Sequence, residues 1–189
     1  YGKKFYGPST LRKGIENSRN LMTIRIAQYL GMDRITELAE RANIMSNMPS
    51  VLSMALGAGE TSLIKLTSAY ASLANGGKKV EASLIDRIQD RRGKNIYILD
   101  QAICENCNQP YIEKNPKPKI IDKSEIIFDE VNAYQMVSIL KGAVERGTGR
   151  KTKIEGIEIA GKTGTTNNNT DAWFLGFTSD IIVGVYTGF

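Results

Sequence analysis

Residues 156 to 189 constrain the fold more than any other part of the chain. They run "GIEIAGKTGTT", "DAWFLGFTSD" and "IIVGVYTGF", three strand-like segments with tight connections. Consecutive strands joined this closely pair antiparallel. The chain ahead is mostly helical in period. "NLMTIRIAQYLG" carries apolar residues at helical spacing and stops at Gly31, and "MDRITELAERANI" follows with Asp33 placed to cap it. "SNMPSVLSMALGAGE" is a loop with a short apolar stretch. "TSLIKLTSAYASLANGG" puts Leu63, Leu66, Ala69, Tyr70 and Leu73 on one face before Asn75-Gly76-Gly77 ends it. "ASLIDRIQDRRGKNIYIL" forms two short strands around Asp90-Arg91-Arg92-Gly93, and residues 100 to 124 form a polar insertion. "DEVNAYQMVSILKGAVERG" is a further helix, with Val131, Tyr134, Met136, Val137, Leu140 and Val144 as its expected buried set. Helices first, a hairpin between and strands last is an α+β layout, an antiparallel sheet packed with helices.

The absence of histidine narrows the chemistry. A Ser-His-Asp triad, a Cys-His dyad and a histidine-ligated zinc site are all excluded, so acid–base work falls to lysine, carboxylate or tyrosine. Neither a cofactor nor a metal is expected. The net charge of +5 comes from spread clusters, Arg87, Arg91, Arg92 and Lys94, then Lys114, Lys117, Lys119 and Lys123. Acidic residues alternate with them and no aromatic stacking motif accompanies them, so they are assigned to a solvated face rather than to nucleic acid. Cys104 and Cys107, in "CENC", make half of a zinc site inside a loop-like stretch; a local disulfide and a pair of loop thiols both fit. The missing initiator methionine and the apolar, strand-like end suggest a piece of a longer protein, and no apolar run approaches the length of a membrane span.

One lysine fits two patterns. Gly156 to Thr163 spells G-x-x-x-x-G-K-T, the nucleotide-binding P-loop, while Lys162-Thr163-Gly164-Thr165 spells K-T-G-T. A P-loop needs a buried strand before its first glycine, a loop around the phosphates and a helix from the lysine onward. "RKTKIE" is not a buried strand, Ile157 to Ala160 alternate like a strand, and Gly164 followed by "TTNNNT" starts a helix poorly. A strand running into K-T-G fits better. Its lysine faces a cleft, its glycine leaves room for a substrate to lie alongside, and a backbone N–H just beyond can donate to an oxyanion.

The K-T-G pattern pairs with S-x-N, supplied by Ser18-Arg19-Asn20. With "LMTIRIAQYLG", "SMALGAGETSLIKLTSAYASLANGG", "LKGAVERGTGRK", "IAGKTGTTNNNTDAWFLGFTSD" and "VGVYTGF" in order, the chain resembles the C-terminal part of the transpeptidase domain of class A penicillin-binding proteins of the 1A type. The resemblance covers residues 1–189 except a variable insertion at about 100–125. It implies a serine β-lactamase/D,D-peptidase-like fold, present as a partial domain. It implies a D,D-transpeptidase that cross-links peptidoglycan stem peptides through a serine acyl-enzyme, with D-Ala-D-Ala peptides, lipid II-derived glycan and β-lactams as partners. The parent is expected to carry a glycosyltransferase as well. An N-terminal anchor would hold it at the periplasmic face of the bacterial inner membrane.

By resemblance, Ser18 relays a proton, Asn20 binds the donor's amide backbone, and Lys162 supplies positive potential and anchors Ser18. Thr163 and Thr165 bind the terminal carboxylate, with Gly164 and Thr166 beside them, and the Thr165 N–H forms half of the oxyanion hole. Lysine's ordinary pKa of ~10.4 keeps it charged unless the site lowers it. The family's nucleophile lies in S-x-x-K ahead of S-x-N. The two S-x-x-K strings here, Ser62 to Lys65 and Ser138 to Lys141, follow it and are taken as decoys, so the acylated serine is expected upstream. Asn167 to Thr170 form a polar loop by the cleft, Trp173 and Phe174 pack in the core, and Gly147-Thr148-Gly149 is a backbone turn near the site, more structural than catalytic. A β-lactamase or D,D-carboxypeptidase shares these motifs, and the P-loop is the remote alternative.

Overall fold

The final sheet sets the frame on which everything else is hung. In the computed structural model, which describes residues 6–100, 102–108, 116–166 and 170–188, β5 (Ala160–Thr165), β6 (Asp171–Phe177) and β7 (Ile182–Gly188) form an antiparallel meander in the order β5-β6-β7. The first strand starts at Ala160, not at Ile157, whose side chain is exposed, so Lys162 is its third residue rather than a late one. Register pairs Lys162 with Leu175 and Gly164 with Trp173.

Helices cover one face of this sheet. α4 (Leu63–Ala74) lies against β7, and α5 (Glu130–Glu145) lies against β5. α4 uses its expected stripe: Ala69 is buried, and Tyr70 and Leu73 pack on the cluster of Leu140, Ala160 and Phe177. The approach to β7 is close, because a Cβ on Gly184 would lie 2.2 Å from the Thr67 hydroxyl. On α5, Leu140 and Val144 are buried, and Met136 and Val137 are partly so. Val131 and Tyr134, expected inside, are 62% and 75% exposed. The contact face is made instead by Ala133, Ile139, Gly142 and Ala143, mostly small residues that let the helix come near its neighbours. A count of large apolar residues points past that face.

Three further helices precede the sheet: α1 (Leu11–Glu16), α2 (Asn20–Leu30) and α3 (Met32–Arg41). Gly31, at φ 86°, ends α2 and also sits at the N-cap of α3. Asp33 is therefore in the first turn and does not cap; its carboxylate accepts from the Ser50 hydroxyl at 2.7 Å. The expected hairpin is β1 (Arg87–Gln89) with β2 (Asn95–Ile98). The polar insertion holds another, β3 (Ile103–Glu105) with β4 (Lys119–Ile121), and a disulfide joins Cys104 to Cys107. Trp173 is half-buried against the Tyr186 ring, centroids 4.7 Å apart, rather than in the core.

The surface is large for the mass. A compact monomer of 20.8 kDa exposes about 8,900 Å². This chain exposes 14311 Å², with Leu84, Ile96, Ile120, Ile181 and Val183 among its exposed apolar residues.

Candidate active site

Two turns distant in sequence meet over β5. The first joins α1 to α2. Thr10 caps α1 by accepting from the Lys13 N–H. The helix ends after Glu16, and Ser18 takes a left-handed backbone, φ 53°. A serine there costs about 1 kcal/mol, so the surroundings must hold it. They do: Ser18 N–H donates to the Ile15 carbonyl at 3.1 Å, and Arg19 N–H to the Gly14 carbonyl at 2.9 Å. The chain reverses at once into α2, which opens at Asn20.

The second turn follows α5. Arg146 donates through Nε and Nη2 to the Glu16 carboxylate at 3.0 and 2.5 Å. Glu16 is buried, and Arg12 Nη1 stands 3.7 Å from the same Oε1 that Arg146 Nη2 holds. The Thr148 N–H then donates to the Glu16 carbonyl at 3.0 Å. Glu16 thus grips the second turn with both side chain and backbone, two residues before Ser18. The packing leaves no slack, since a Cβ on Gly147 would lie 2.2 Å from the Glu16 carbonyl oxygen.

Lys162 rises from β5 between the two turns. Its Nζ donates to Ser18 Oγ at 2.6 Å, to the Thr163 carbonyl at 2.9 Å and to Thr148 Oγ1 at 3.4 Å. Thr163 Oγ1 donates to Thr148 Oγ1 at 2.9 Å. Burial pushes the Lys162 pKa below its ordinary value, because a half-enclosed ammonium loses hydration.

The free edge of β5 completes the arrangement. Among the described residues only β6 pairs with β5. Thr166 N–H donates to the Asp171 carbonyl, so the alternation of an antiparallel ladder turns the N–H and C=O of Thr163 and Thr165 outward. An extended chain laid there finds donors and acceptors at the spacing of a strand. At Gly164 an added Cβ would stand 3.3 Å from the Trp173 Cβ. Thr165 is exposed. The Thr166 hydroxyl is engaged in the β5–β6 connection, accepting from Asp171 N–H at 2.9 Å and bonded to Thr170 Oγ1. Asn20 is exposed, and among the described residues its side chain makes no hydrogen bond. Of the expected polar loop at 167–170, residues 167–169 lie outside the described residues.

The P-loop is excluded by the same geometry, because strand continues through Thr165 where a helix is required. Both S-x-x-K strings have other work. Ser62 is the N-cap of α4 and accepts from Lys65 N–H. Ser138 binds Arg12 through hydroxyl and carbonyl, and Lys141 pairs with Glu158 and Glu145.

Comparison with known proteins gives the family. Residues 1–185 match the family model described as the penicillin-binding protein transpeptidase domain. The chain belongs to that family. It is 44% identical over 191 aligned residues to penicillin-binding protein 1A of Rickettsia prowazekii, covering all of this chain and 24% of that protein. The protein of the same name from Neisseria meningitidis is 39% identical over 188 residues, 98% of this chain and 22% of that one. The chain therefore spans about a quarter of the length of these curated relatives. Penicillin-binding protein 1A of Haemophilus influenzae superposes with TM-score 0.78 at 31% identity, over 98% of this chain and 31% of that one. Penicillin-binding protein A of M. tuberculosis, solved as an imipenem acyl-enzyme complex, gives 0.71 at 18% identity, over 100% and 44%, a likeness of fold. The fold is thus of the serine β-lactamase/D,D-peptidase kind shared by these transpeptidase domains.

In this transpeptidase fold, two residues do more than the sequence alone indicates. Thr148 lies in the turn expected near the site, and its hydroxyl touches Lys162 and Thr163, which is more than a structural part. A threonine between two glycines directly after a helix was the available signal. Glu16 gave none, since its partner Arg146 is 130 residues away.

Proposed function

We propose that this chain forms part of a class A penicillin-binding transpeptidase, which cross-links peptidoglycan stem peptides through a serine acyl-enzyme. The 2.6 Å contact of Lys162 Nζ with Ser18 Oγ, at the free edge of β5, carries this reading. A donor stem ending in D-Ala-D-Ala lies along that edge as an added strand. The nucleophilic serine adds to the penultimate carbonyl, and the Thr165 N–H supports the oxyanion. Ser18, its hydroxyl oriented by Lys162, takes up the nucleophile's proton and passes one to the nitrogen of D-alanine, which leaves as the amide C–N bond breaks. The incoming amine of a second stem then adds to the acyl carbonyl, and Ser18 relays the proton the amine loses to the nucleophilic serine as the ester C–O bond breaks. Asn20 holds the donor's amide, and Thr163 and Thr165 bind its carboxylate with Gly164 and Thr166 flanking. Penicillins follow the first half of this path and stay attached.

The nucleophile comes from outside residues 1–189, and these residues are the C-terminal part of the domain, with the 100–125 segment as an insertion. Ser62 and Ser138 are committed to a helix cap and to Arg12, which supports this. So does a surface well above that of a complete core. The parent works at the periplasmic face of the inner membrane, where lipid II-derived glycan is at hand, and carries a glycosyltransferase beside this domain. Its anchor lies elsewhere, since among the described residues no helix is long and apolar enough to cross a membrane.

Intact-mass and peptide-mapping spectrometry of the full-length protein with benzylpenicillin tests the reading. One adduct is expected, on a serine outside residues 1–189. An adduct on Ser62, Ser138 or Ser18 would overturn the assignment of roles, and no adduct at all would overturn the function.

A further inference from the structure

Ser18 and Lys162 lie far apart in sequence, yet both partners of their 2.6 Å contact are referenced to one helix, α5. Lys162 is referenced through β5, since Ala160 shares a buried cluster with Leu140. Ser18 is referenced through α1, which grips α5 at two places one helical turn apart on α1. Arg12 donates to the Ser138 carbonyl and hydroxyl at 3.1 and 3.2 Å, and Glu16 receives the Arg146 fork at 3.0 and 2.5 Å. With six residues, α1 is too short to be a stable helix by itself, so these grips fix where it ends. Ser18 follows two residues after that end, at φ 53°.

The Glu16 grip is the more exacting of the two. Arg12 meets Ser138 at the surface, whereas Glu16 is only 5% exposed. A carboxylate taken out of water stabilises a fold only where its partner sits in close geometry. Gly142 supplies the room for that geometry, because a Cβ there would collide with Glu16 Oε1 and Arg146 Nη2. The pair is thus seated over a bare turn of α5. A two-point fork sets direction as well as distance, so the residue two places further on has little freedom.

From this we infer that Glu16 is a positioning residue for the acylation step: its ion pair with Arg146, seated over Gly142, sets the Ser18 hydroxyl within hydrogen-bond reach of Lys162. The inference rests on the transpeptidase reading above. The Glu16 carboxylate is engaged by Arg146 and Arg12, so its effect on the reaction passes through the place of Ser18. A relay hydroxyl displaced by about an ångström costs on the order of a hundredfold in rate. Ligand binding draws on the Lys162 charge and the free edge of β5, which stay in place when only this carboxylate is changed. Loss of the pair therefore shows in the chemical step and not in binding.

The test uses the full-length protein and stopped-flow acylation over a range of benzylpenicillin concentrations, which separates the pre-acylation dissociation constant from the first-order acylation constant. Glu16→Gln keeps the shape and removes the charge. It should lower the first-order constant about 10- to 100-fold and leave the dissociation constant within about threefold of wild type. Gly142→Ala keeps both charges and displaces the pair; the atoms it meets are side-chain ends, so the backbone survives. It should act in the same direction, by about 3- to 30-fold. In a Ser18→Ala background either change should cost less than about threefold, because the group being positioned is gone. Equal losses with and without the Ser18 hydroxyl, or a loss carried by the dissociation constant, would overturn the inference and leave Glu16 a support of the fold only. Wild-type constants in Glu16→Gln would overturn it outright. Where circular dichroism shows Glu16→Gln unfolded, Gly142→Ala decides by the same criteria. A wild-type protein that benzylpenicillin does not acylate would overturn the transpeptidase reading itself, so the two failures are distinguishable.

Discussion

The corner where α1, α5 and β5 meet differs sharply from the two hairpins between Arg87 and Ile121. At the corner, a buried carboxylate, an arginine fork and glycines too crowded for a Cβ fix three backbone segments relative to one another. In the hairpins nearly every strand residue is exposed, and the pairing is local. Ile96 and Ile120 are 70% and 71% exposed, so neither hairpin contributes a core to this chain. The contrast shows where position is over-determined. Hydroxyls must be held to a few tenths of an ångström at the corner, whereas a hairpin needs only to stay paired.

Removal of the corner's central cation should produce the largest effect. Lys162→Ala in the full-length protein should lower penicillin acylation by about a thousandfold or more, because Ser18 loses its orienting donor and the pocket its charge. A loss under tenfold, measured by stopped-flow acylation, would mean that Lys162 serves structure alone. Four charge removals on the hairpin, Arg87, Arg91, Arg92 and Lys94 to Ala, should leave that rate unchanged.

The same glycine substitution can be placed in both regions. Gly147→Ala pushes a methyl into the Glu16 carbonyl and should cost about 1–3 kcal/mol as overpacking, with acylation falling as Ser18 and Thr148 shift. Gly93, at φ 80° in the β1–β2 turn, has nothing within 4 Å of its would-be Cβ. Gly93→Ala should therefore cost only the left-handed backbone penalty of about 1 kcal/mol, with acylation untouched. Denaturant unfolding and acylation rates on both variants check the difference; equal stability losses would erase the contrast.

Much of this was legible from residues, and the gaps have physical causes. The α4 stripe was readable because Leu63, Leu66, Ala69, Tyr70 and Leu73 repeat at helical spacing and all turn inward. α5 was misread at Val131 and Tyr134 because its contacts run through Ala133, Gly142 and Ala143, which carry little hydrophobic signal. The strand at K-T-G was readable, but its onset was not, since Ile157 to Ile159 alternate without pairing. Glu16 looked like one more surface charge; its burial depends on Arg146 arriving from the far end of the chain. Local pattern records what a segment can become, while a clamp between distant segments is written in neither alone.

A pH profile sharpens the corner side further. Burial favours neutral Lys162, so its folded-state pKa lies below the unfolded one. Charged lysine in the fold therefore costs stability at low and neutral pH, and that cost fades as pH rises through the lowered pKa toward the unfolded value. If the charge is what binds and orients, acylation must fall over the same interval. The alkaline limb should begin below the pH expected of a free lysine. Lys162→Arg, which keeps its charge far into the alkaline range, should move the limb upward even if its rate is lower. An alkaline limb that stays in place in Lys162→Arg would assign it to another group.

The smallest expected effect lies in the β3–β4 hairpin. Cys104 and Cys107 are joined there, three residues apart, with Cys104 paired to Ile120 across the two strands. So short a loop restricts little of the unfolded chain, and the chain-entropy gain from a cross-link grows with the loop it closes. Ile103, Cys104 and Glu105 are all exposed, so breaking the bond opens no cavity in a core. Among the described residues there is no group of three or more histidine, cysteine or acidic side chains that could hold a metal. Replacement of both cysteines by serine should leave acylation and transpeptidation within about twofold of wild type and shift global unfolding by less than about 0.5 kcal/mol. Protection of amides in residues 102–108 from hydrogen exchange should drop, because local opening there no longer has a covalent limit. Loss of acylation in this variant would tie the hairpin to the corner and end the separation drawn between them.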